Sequence, residues 1–318
     1  MVMPRRKIGA HEVSVVGVGC NQMGPTADEQ MSARIVRAAL DAGINFFDTA
    51  DEYGPEGVSE EFLGRALRGR RDDAVIATKF GHFMHGDPAR GGASARWIVR
   101  AVEDSLHRLG TDRIDLYQQH FPDAHVDPQE TLTTLDRLVR QGKIIHYGFC
   151  NVGADDIARR CGIARTEGLS GPVSAQNRYN LLRQEARHEL VPVLEGNGLA
   201  LIPYFPLASG MLTGKYRAGH LLPTDSRFAR HLDPAQAERI IERDAAAVER
   251  LASWAADHGR SVAELAIAWL AAQPVVASVI AGVTRPEQLQ ANARAADWVL
   301  SAEQIDEVAV LTSDAAQR

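Results

Sequence analysis

Eight times along this chain a short run rich in β-branched and aromatic residues gives way to a longer stretch whose apolar positions recur every three or four residues. The short runs cover residues 13–19, 44–49, 74–80, 114–120, 144–151, 172–178, 199–205 and 276–283. Between them, "SARWIVRAVEDSLHRLG" places Trp97, Ile98, Val102, Leu106 and Leu109 on one helical face and offers Gly110 as a stop. "PQETLTTLDRLVRQG" does the same with Leu132, Leu135, Leu138 and Val139, opening on Pro128 and closing on Gly142. Strand, helix and short loop in strict alternation make a parallel sheet, because each crossover returns the chain to the same end. Eight repeats in one chain suit a closed (β/α)8 barrel, a TIM barrel, although an open doubly wound sheet uses the same local grammar.

Other segments decorate this plan. "MPRRKIGAHEVS" reads as an N-terminal β-hairpin with a Gly-Ala-His centre, and residues 208–233 read as a long loop after the seventh strand. Extra helices near the C-terminus are expected over 234–258, within "SVAELAIAWLAA" and within "SAEQIDEVAVL". No linker divides the chain, so residues 1–318 are expected to form a single domain.

The 318 residues carry a net charge of only -6 and no long basic run, which points away from nucleic acid and toward a small-molecule partner. No apolar stretch approaches the roughly 18 residues of a membrane span, and "MVMPRRKIGA" leads into no signal-like apolar run. Cys20, Cys150 and Cys161 are odd in number and form no C-x-x-C pair, as suits a reducing compartment. The expectation is a cytoplasmic protein without a membrane partner.

In a parallel barrel, chemistry gathers where strands end. The second run ends on Asp48, the third carries Lys79, the fourth ends on His120 and the fifth on Asn151. Period-two alternation puts Asp48 with Ile44 and Phe46, Lys79 with Val75 and Ala77, and His120 with Ile114 and Leu116. If those apolar partners face the interior, the polar groups cap it together. Taken singly, Asp48 could be a turn former, Lys79 could snorkel to solvent and His120 could be an ordinary loop histidine.

Tyr53, five residues after Asp48, supplies a reason for the set. A phenol titrates near pKa 10, too high for proton transfer at neutral pH unless a cation stabilises its anion. The expected relay has Asp48 keeping Lys79 charged, Lys79 lowering the Tyr53 pKa, and His120 orienting a substrate oxygen by donating a hydrogen bond.

The stretches "NFFDTADEYG", "ATKF", "DLYQQH", "GFCN", "AQNRYN", "PLASGMLTGKY" and "IAGVTRPEQLQAN", in this order over about residues 13–295, make the sequence resemble the aldo-keto reductase family. The resemblance implies the (β/α)8 barrel over the open sheet. It also implies Tyr53 as general acid, supported by Asp48, Lys79 and His120, with hydride from a nicotinamide cofactor.

By the same resemblance, Asn151 and Gln176 would bind the carboxamide and Tyr204 would stack on the nicotinamide ring. Phe205, Leu207, Ser209, Lys215 and Arg227 would hold the pyrophosphate and its flank, while Gly282, Thr284, Arg285, Gln288 and Asn292 would surround the adenosine. Cys20 and Asn21 would make minor contacts on the nicotinamide side, although "GVGCNQMG" superficially looks like a dinucleotide loop of another fold. Cys150 replaces the family's usual Ser before the Asn, and Ala291 stands where an acid often contacts adenine.

Arg285 with Thr284 could receive a 2'-phosphate, so NADPH is the expected coenzyme, with NADH as the alternative. The expected reaction is reversible reduction of aldehydes or ketones. The alternatives are a sugar dehydrogenase working in the oxidative direction, a cofactor-binding regulatory protein, and an aldolase using Lys79 as a Schiff-base nucleophile. His82 and His85 in "HFMH" are read as part of a substrate loop rather than as a zinc pair.

Overall fold

The computed structural model describes residues 3–83, 86–87, 90–224 and 226–312. It opens with β1 (Arg5–Ile8) and β2 (His11–Ser14), an antiparallel pair joined by a two-residue turn. Gly9 holds φ +56 in that turn, and a Cβ on it would meet the His146 ring at 2.5 Å, so both backbone and space require glycine.

The run over 13–19 is not one strand. Val13 and Ser14 finish the hairpin, and β3 (Val16–Gly19) starts the barrel. Asn45 stabilises the break: its Oδ1 accepts from the Ser14 N–H at 2.8 Å and its Nδ2 donates to the Glu12 carbonyl at 2.9 Å.

From β3 the strands β4 (Phe46–Asp48), β5 (Val75–Phe80), β6 (Ile114–Gln119), β7 (Ile144–Cys150), β8 (Ser174–Arg178) and β9 (Ala200–Tyr204) pair in parallel in chain order. β10 (Val279–Gly282) then pairs back onto β3. The ring closes through Leu201, whose N–H donates to the Val275 carbonyl at 2.8 Å and whose carbonyl accepts from Ala277 N–H at 2.9 Å. This is the (β/α)8 barrel, and the open sheet is excluded.

The outer face is covered by α1 (Glu29–Asp41), α2 (Val58–Ala66), α3 (Ala95–Leu109), α4 (Pro128–Arg140), α5 (Ala154–Thr166), α6 (Glu185–Glu189) and α7 (Val191–Asn197). In α3, Ser94 caps the first turn by accepting from Trp97 N–H at 3.3 Å, the five expected apolar residues are buried, and Gly110 at φ +61 ends the helix.

The stretch 208–233, expected as loop, holds a short 3-10 helix at Ala208–Thr213 and α8 (Arg227–His231). Two local interactions order it: Ser226 caps α8 by accepting from Ala229 N–H at 3.2 Å, and Tyr216 stacks on Phe228 at 4.4 Å. α9 (Pro234–Asp257), α10 (Val262–Ala272), α11 (Pro286–Ala295) and α12 (Ala302–Val310) complete the chain. No helix among the described residues is long and apolar enough to cross a membrane.

Two apolar layers result. Phe46, Val75, Ala77, Leu116, Ile202, Ala277 and Ile280 fill the barrel interior, and Ile8 and Val13 of the hairpin close its floor. The larger layer lies between strands and helices. Ile44 and Ile114, expected inside, belong to that outer layer, because each stands at or before a strand start where alternation is not yet established. With the floor plugged, the open end is the one at which Asp48, Lys79 and His120 emerge.

Candidate active site

Asp48 is the last residue of β4, and the chain then turns sharply. The Thr49 and Ser59 hydroxyls meet at 2.9 Å, Ser59 Oγ also donates to the Cys20 carbonyl at 2.9 Å, and Ser59 N–H donates to the Tyr53 carbonyl at 3.1 Å. These bonds tie the start of α2 back across the loop. Gly54 and Gly57, at φ +74 and +78, make the return. Tyr53 is thereby held with its hydroxyl 3.3 Å from Lys79 Nζ.

Lys79 is fully buried, and its ammonium is saturated. It donates to Asp48 Oδ2 at 2.6 Å and to the Thr49 carbonyl at 2.9 Å. Asp48 Oδ1 accepts in turn from Gln118 Nε2 at 3.1 Å and from Gln176 Nε2 at 2.8 Å. Burial alone would strip the lysine of its proton, yet Asp48, Tyr53 and Cys150 carry its pKa above the ordinary value. Removing either member of such a pair strands the other charge, at a cost of about 3–5 kcal/mol.

Lys79 lowers the Tyr53 pKa as expected, but burial outweighs it. Burial raises the phenol above its usual value. Lys79 pulls down through charge and hydrogen bond, and Asp48 pushes up again. Lys79 limits the shift without reversing it, so Tyr53 holds its proton at neutral pH in this structure.

His120 is buried beside Tyr53, the rings meeting edge-on with centroids 5.9 Å apart. Burial holds this imidazole well below its usual range, and the positive charges of Lys79 and His82 add to the effect. Its ring also stacks on Phe121 at 4.7 Å.

On the other side of the mouth, Asn151 sits in the left-handed region at φ +58, with Nδ2 donating to the His120 carbonyl at 2.9 Å and Oδ1 accepting from Tyr204 Oη at 2.7 Å. Past Tyr204 the chain is strained: Phe205, Ala208 and Ser209 all have positive φ. Arg227 lies over the Phe205 ring at 5.0 Å and Lys215 over Tyr216 at 5.1 Å. Leu207 is half-buried beside the 3-10 helix.

The remaining expected positions line the end of β10. Gly282 faces Asn21, whose Oδ1 would lie 2.9 Å from a Cβ there. Gln288 Oε1 accepts from both the N–H and the hydroxyl of Thr284, at 2.8 and 3.1 Å. Arg285 is exposed and Asn292 buried on α11. Cys20 and Cys150 are sealed in, and Cys20 presents no surface to a ligand.

Residues 15–312 match the model of the aldo/keto reductase family. The chain belongs to this family. Among curated relatives of this aldo/keto reductase, a probable voltage-gated potassium channel subunit beta from Oryza sativa subsp. japonica is 35% identical over 93% of this chain and 91% of its own. L-glyceraldehyde 3-phosphate reductase from Escherichia coli K12 is 33% identical over 82% and 77%. Aldo-keto reductase YhdN from Bacillus subtilis is 33% identical over 92% and 88%.

The structure brings Asp48, Lys79, Tyr53 and His120 of this family member into one cluster, with Gln176, Asn151 and Tyr204 at its edge. The cations Lys215 and Arg227 and the Gly282–Asn292 group stand further out along the loops. Two members of the cluster were missed by sequence reasoning. Gln118 shares the strand parity of His120, which was the available signal. Glu52 lies in a loop, where alternation carries no information, and places its carboxylate 3.3 Å from His120 Nδ1 and 2.7 Å from His82 Nδ1. His85 lies outside the described residues.

Proposed function

We propose that this aldo/keto reductase reduces aldehydes or ketones to alcohols with NADPH, reversibly, and that Tyr53 is the proton donor. The observation that carries the reading is the contact of the Tyr53 hydroxyl with Lys79, itself neutralised by Asp48, beside a buried His120. Asn151, Gln176 and Tyr204 would hold a nicotinamide, which would supply hydride when bound. Tyr53 then gives its proton to the developing alkoxide while His120 orients the same oxygen. Burial keeps the Tyr53 phenol protonated at neutral pH, as a proton donor must be.

The residues suit the cofactor. Among the described residues no carboxylate pairs with Lys215 or Arg227, and burial with neighbouring Arg230 lowers the Arg227 pKa, so both cations have capacity for a polyanion. Tyr204 offers a partly open ring for stacking, and exposed Arg285 next to Thr284 suits a 2'-phosphate. Asn21, Phe205, Leu207, Ser209, Gly282, Gln288 and Asn292 would complete the contacts, whereas Cys20, expected among them, is fully buried. Phe83 and Phe121, each 41% exposed, favour a carbonyl with apolar substituents. Three buried free cysteines support a cytoplasmic setting.

Tyr53→Phe tests the assignment. Turnover of a carbonyl panel, read by NADPH absorbance, should fall by about 10²-fold or more, while NADPH still raises the melting temperature as in the parent. Undiminished turnover in that variant would remove Tyr53 from its role. The rice relative's name makes a regulatory role the second reading; tight NADPH binding with no turnover of any carbonyl would favour it.

A further inference from the structure

Glu52 stands one residue before Tyr53, and its carboxylate lies between two imidazoles. Its Oε2 is 2.7 Å from His82 Nδ1 and its Oε1 is 3.3 Å from His120 Nδ1. His120 Nδ1 is buried and has no aligned hydrogen-bond partner among the described residues, so Glu52 is the acid that approaches it. The other groups around His120 are Lys79 on β5, His82 beyond it, the Tyr53 ring, the Phe121 ring and Asn151, which bonds its carbonyl. Asp51 adds negative charge behind Glu52.

The proton count at this pair decides what His120 can do. A neutral imidazole has one N–H, so if one nitrogen donates the other accepts. His120 can donate to a carbonyl oxygen from Nε2 only while Nε2 carries hydrogen. When Glu52 and Nδ1 share one proton, Nε2 keeps its hydrogen, whether the shared proton sits on the carboxyl or on the ring. When that proton leaves to solvent, Glu52 becomes a carboxylate that attracts the remaining ring hydrogen to Nδ1. The Nε2 lone pair then faces the substrate oxygen.

We propose that Glu52 is a positioning residue that sets the tautomer of His120, keeping Nε2–H available to the substrate while the pair holds its proton and withdrawing it when the proton is lost. This rests on the carbonyl-reduction reading above for its catalytic consequence, though not for the tautomer itself. Burial raises the Glu52 carboxyl above its usual range against the pull of His82 and Lys79, and burial holds the His120 imidazole below its own. His82, with its side chain 42% exposed, lies against the far oxygen of Glu52.

The test is spectroscopic and kinetic on the full chain. Protein labelled with ¹⁵N-histidine gives long-range ¹H–¹⁵N correlations that distinguish Nδ1–H from Nε2–H, with His120→Asn used to assign the signals. Across about pH 6 to about pH 9, the parent should pass from Nε2–H to Nδ1–H. Glu52→Gln, whose amide donates to Nδ1 without titrating, should hold Nε2–H throughout, and Glu52→Ala serves if that variant misfolds, again without the parent's switch. In parallel, kcat/KM of the parent should fall toward high pH by up to about 10²-fold, the loss expected for one oriented donor, with a flattened limb in Glu52→Gln. A His120 tautomer that ignores pH in the parent, or titrates identically in both variants, overturns the proposal. The spectra need no turnover, so an intact tautomer switch in a protein inactive on every carbonyl would overturn the reductase reading alone.

Discussion

Both carboxyl oxygens of Asp51 are buried without a hydrogen-bond partner, and burial together with the nearby Glu60 raises its pKa well above the ordinary carboxylate value. A folded-state pKa raised above the unfolded one means that the native protein binds the extra proton. Stability contributed by this acid is therefore complete below about pH 4 and declines as pH rises from there toward the folded pKa. Asp51→Asn, which cannot ionise, should melt higher than the parent at neutral pH, with the gain shrinking to nothing near about pH 4; scanning calorimetry at several pH values checks it, and a gain independent of pH would contradict the linkage. Single residues were legible in sequence where strand parity fixed their direction, as for Asp48, Lys79 and His120. The net pKa of Tyr53 was not, because it depends on how completely the loop buries the phenol, which the identities of its neighbours do not state.

At the scale of elements, α2 and α3 touch almost backbone to backbone. A Cβ on Gly64 would stand 2.2 Å from the Leu109 carbonyl oxygen, a rigid obstacle at the end of α3. Gly64→Ala should force the two helices apart at a cost of about 1–3 kcal/mol, seen as a lower urea midpoint with an unchanged slope. Because α2 also carries Ser59, which tethers Thr49 and the Cys20 carbonyl, the displacement should reach the Tyr53 loop. Helix faces such as Trp97 to Leu109 were readable because packing follows the 3.6-residue period throughout. The break at Val15 was not readable, since it depends on Asn45, distant in sequence, bonding to Ser14 and Glu12. The same holds for 208–233, where the Tyr216–Phe228 stack, not local periodicity, imposes order.

For the whole molecule, periodicity alone could not choose between an open sheet and a closed barrel, because closure needs the last strand to meet both β3 and β9, contacts that no local pattern encodes. That closure is asymmetric. β6 and β7 share a ladder from Ile114 and Ile144 to Gln119 and Phe149, whereas among the described residues β9 meets the run before β10 through Leu201 alone. Native-state hydrogen exchange should accordingly find the amides of Leu201 and Ala277 opening at lower free energy than that of Tyr147; equal protection would mean the ring opens elsewhere. The opposite extreme is Asp48. Its carboxylate, on β4, is gripped by Lys79 from β5, Gln118 from β6 and Gln176 from β8, so four strands are joined at one side chain. On the proposed function, inheritance of the fold and inheritance of the chemistry act on the same atoms, and a descendant that gave up turnover would still be held to this carboxylate and its partners by the need to fold.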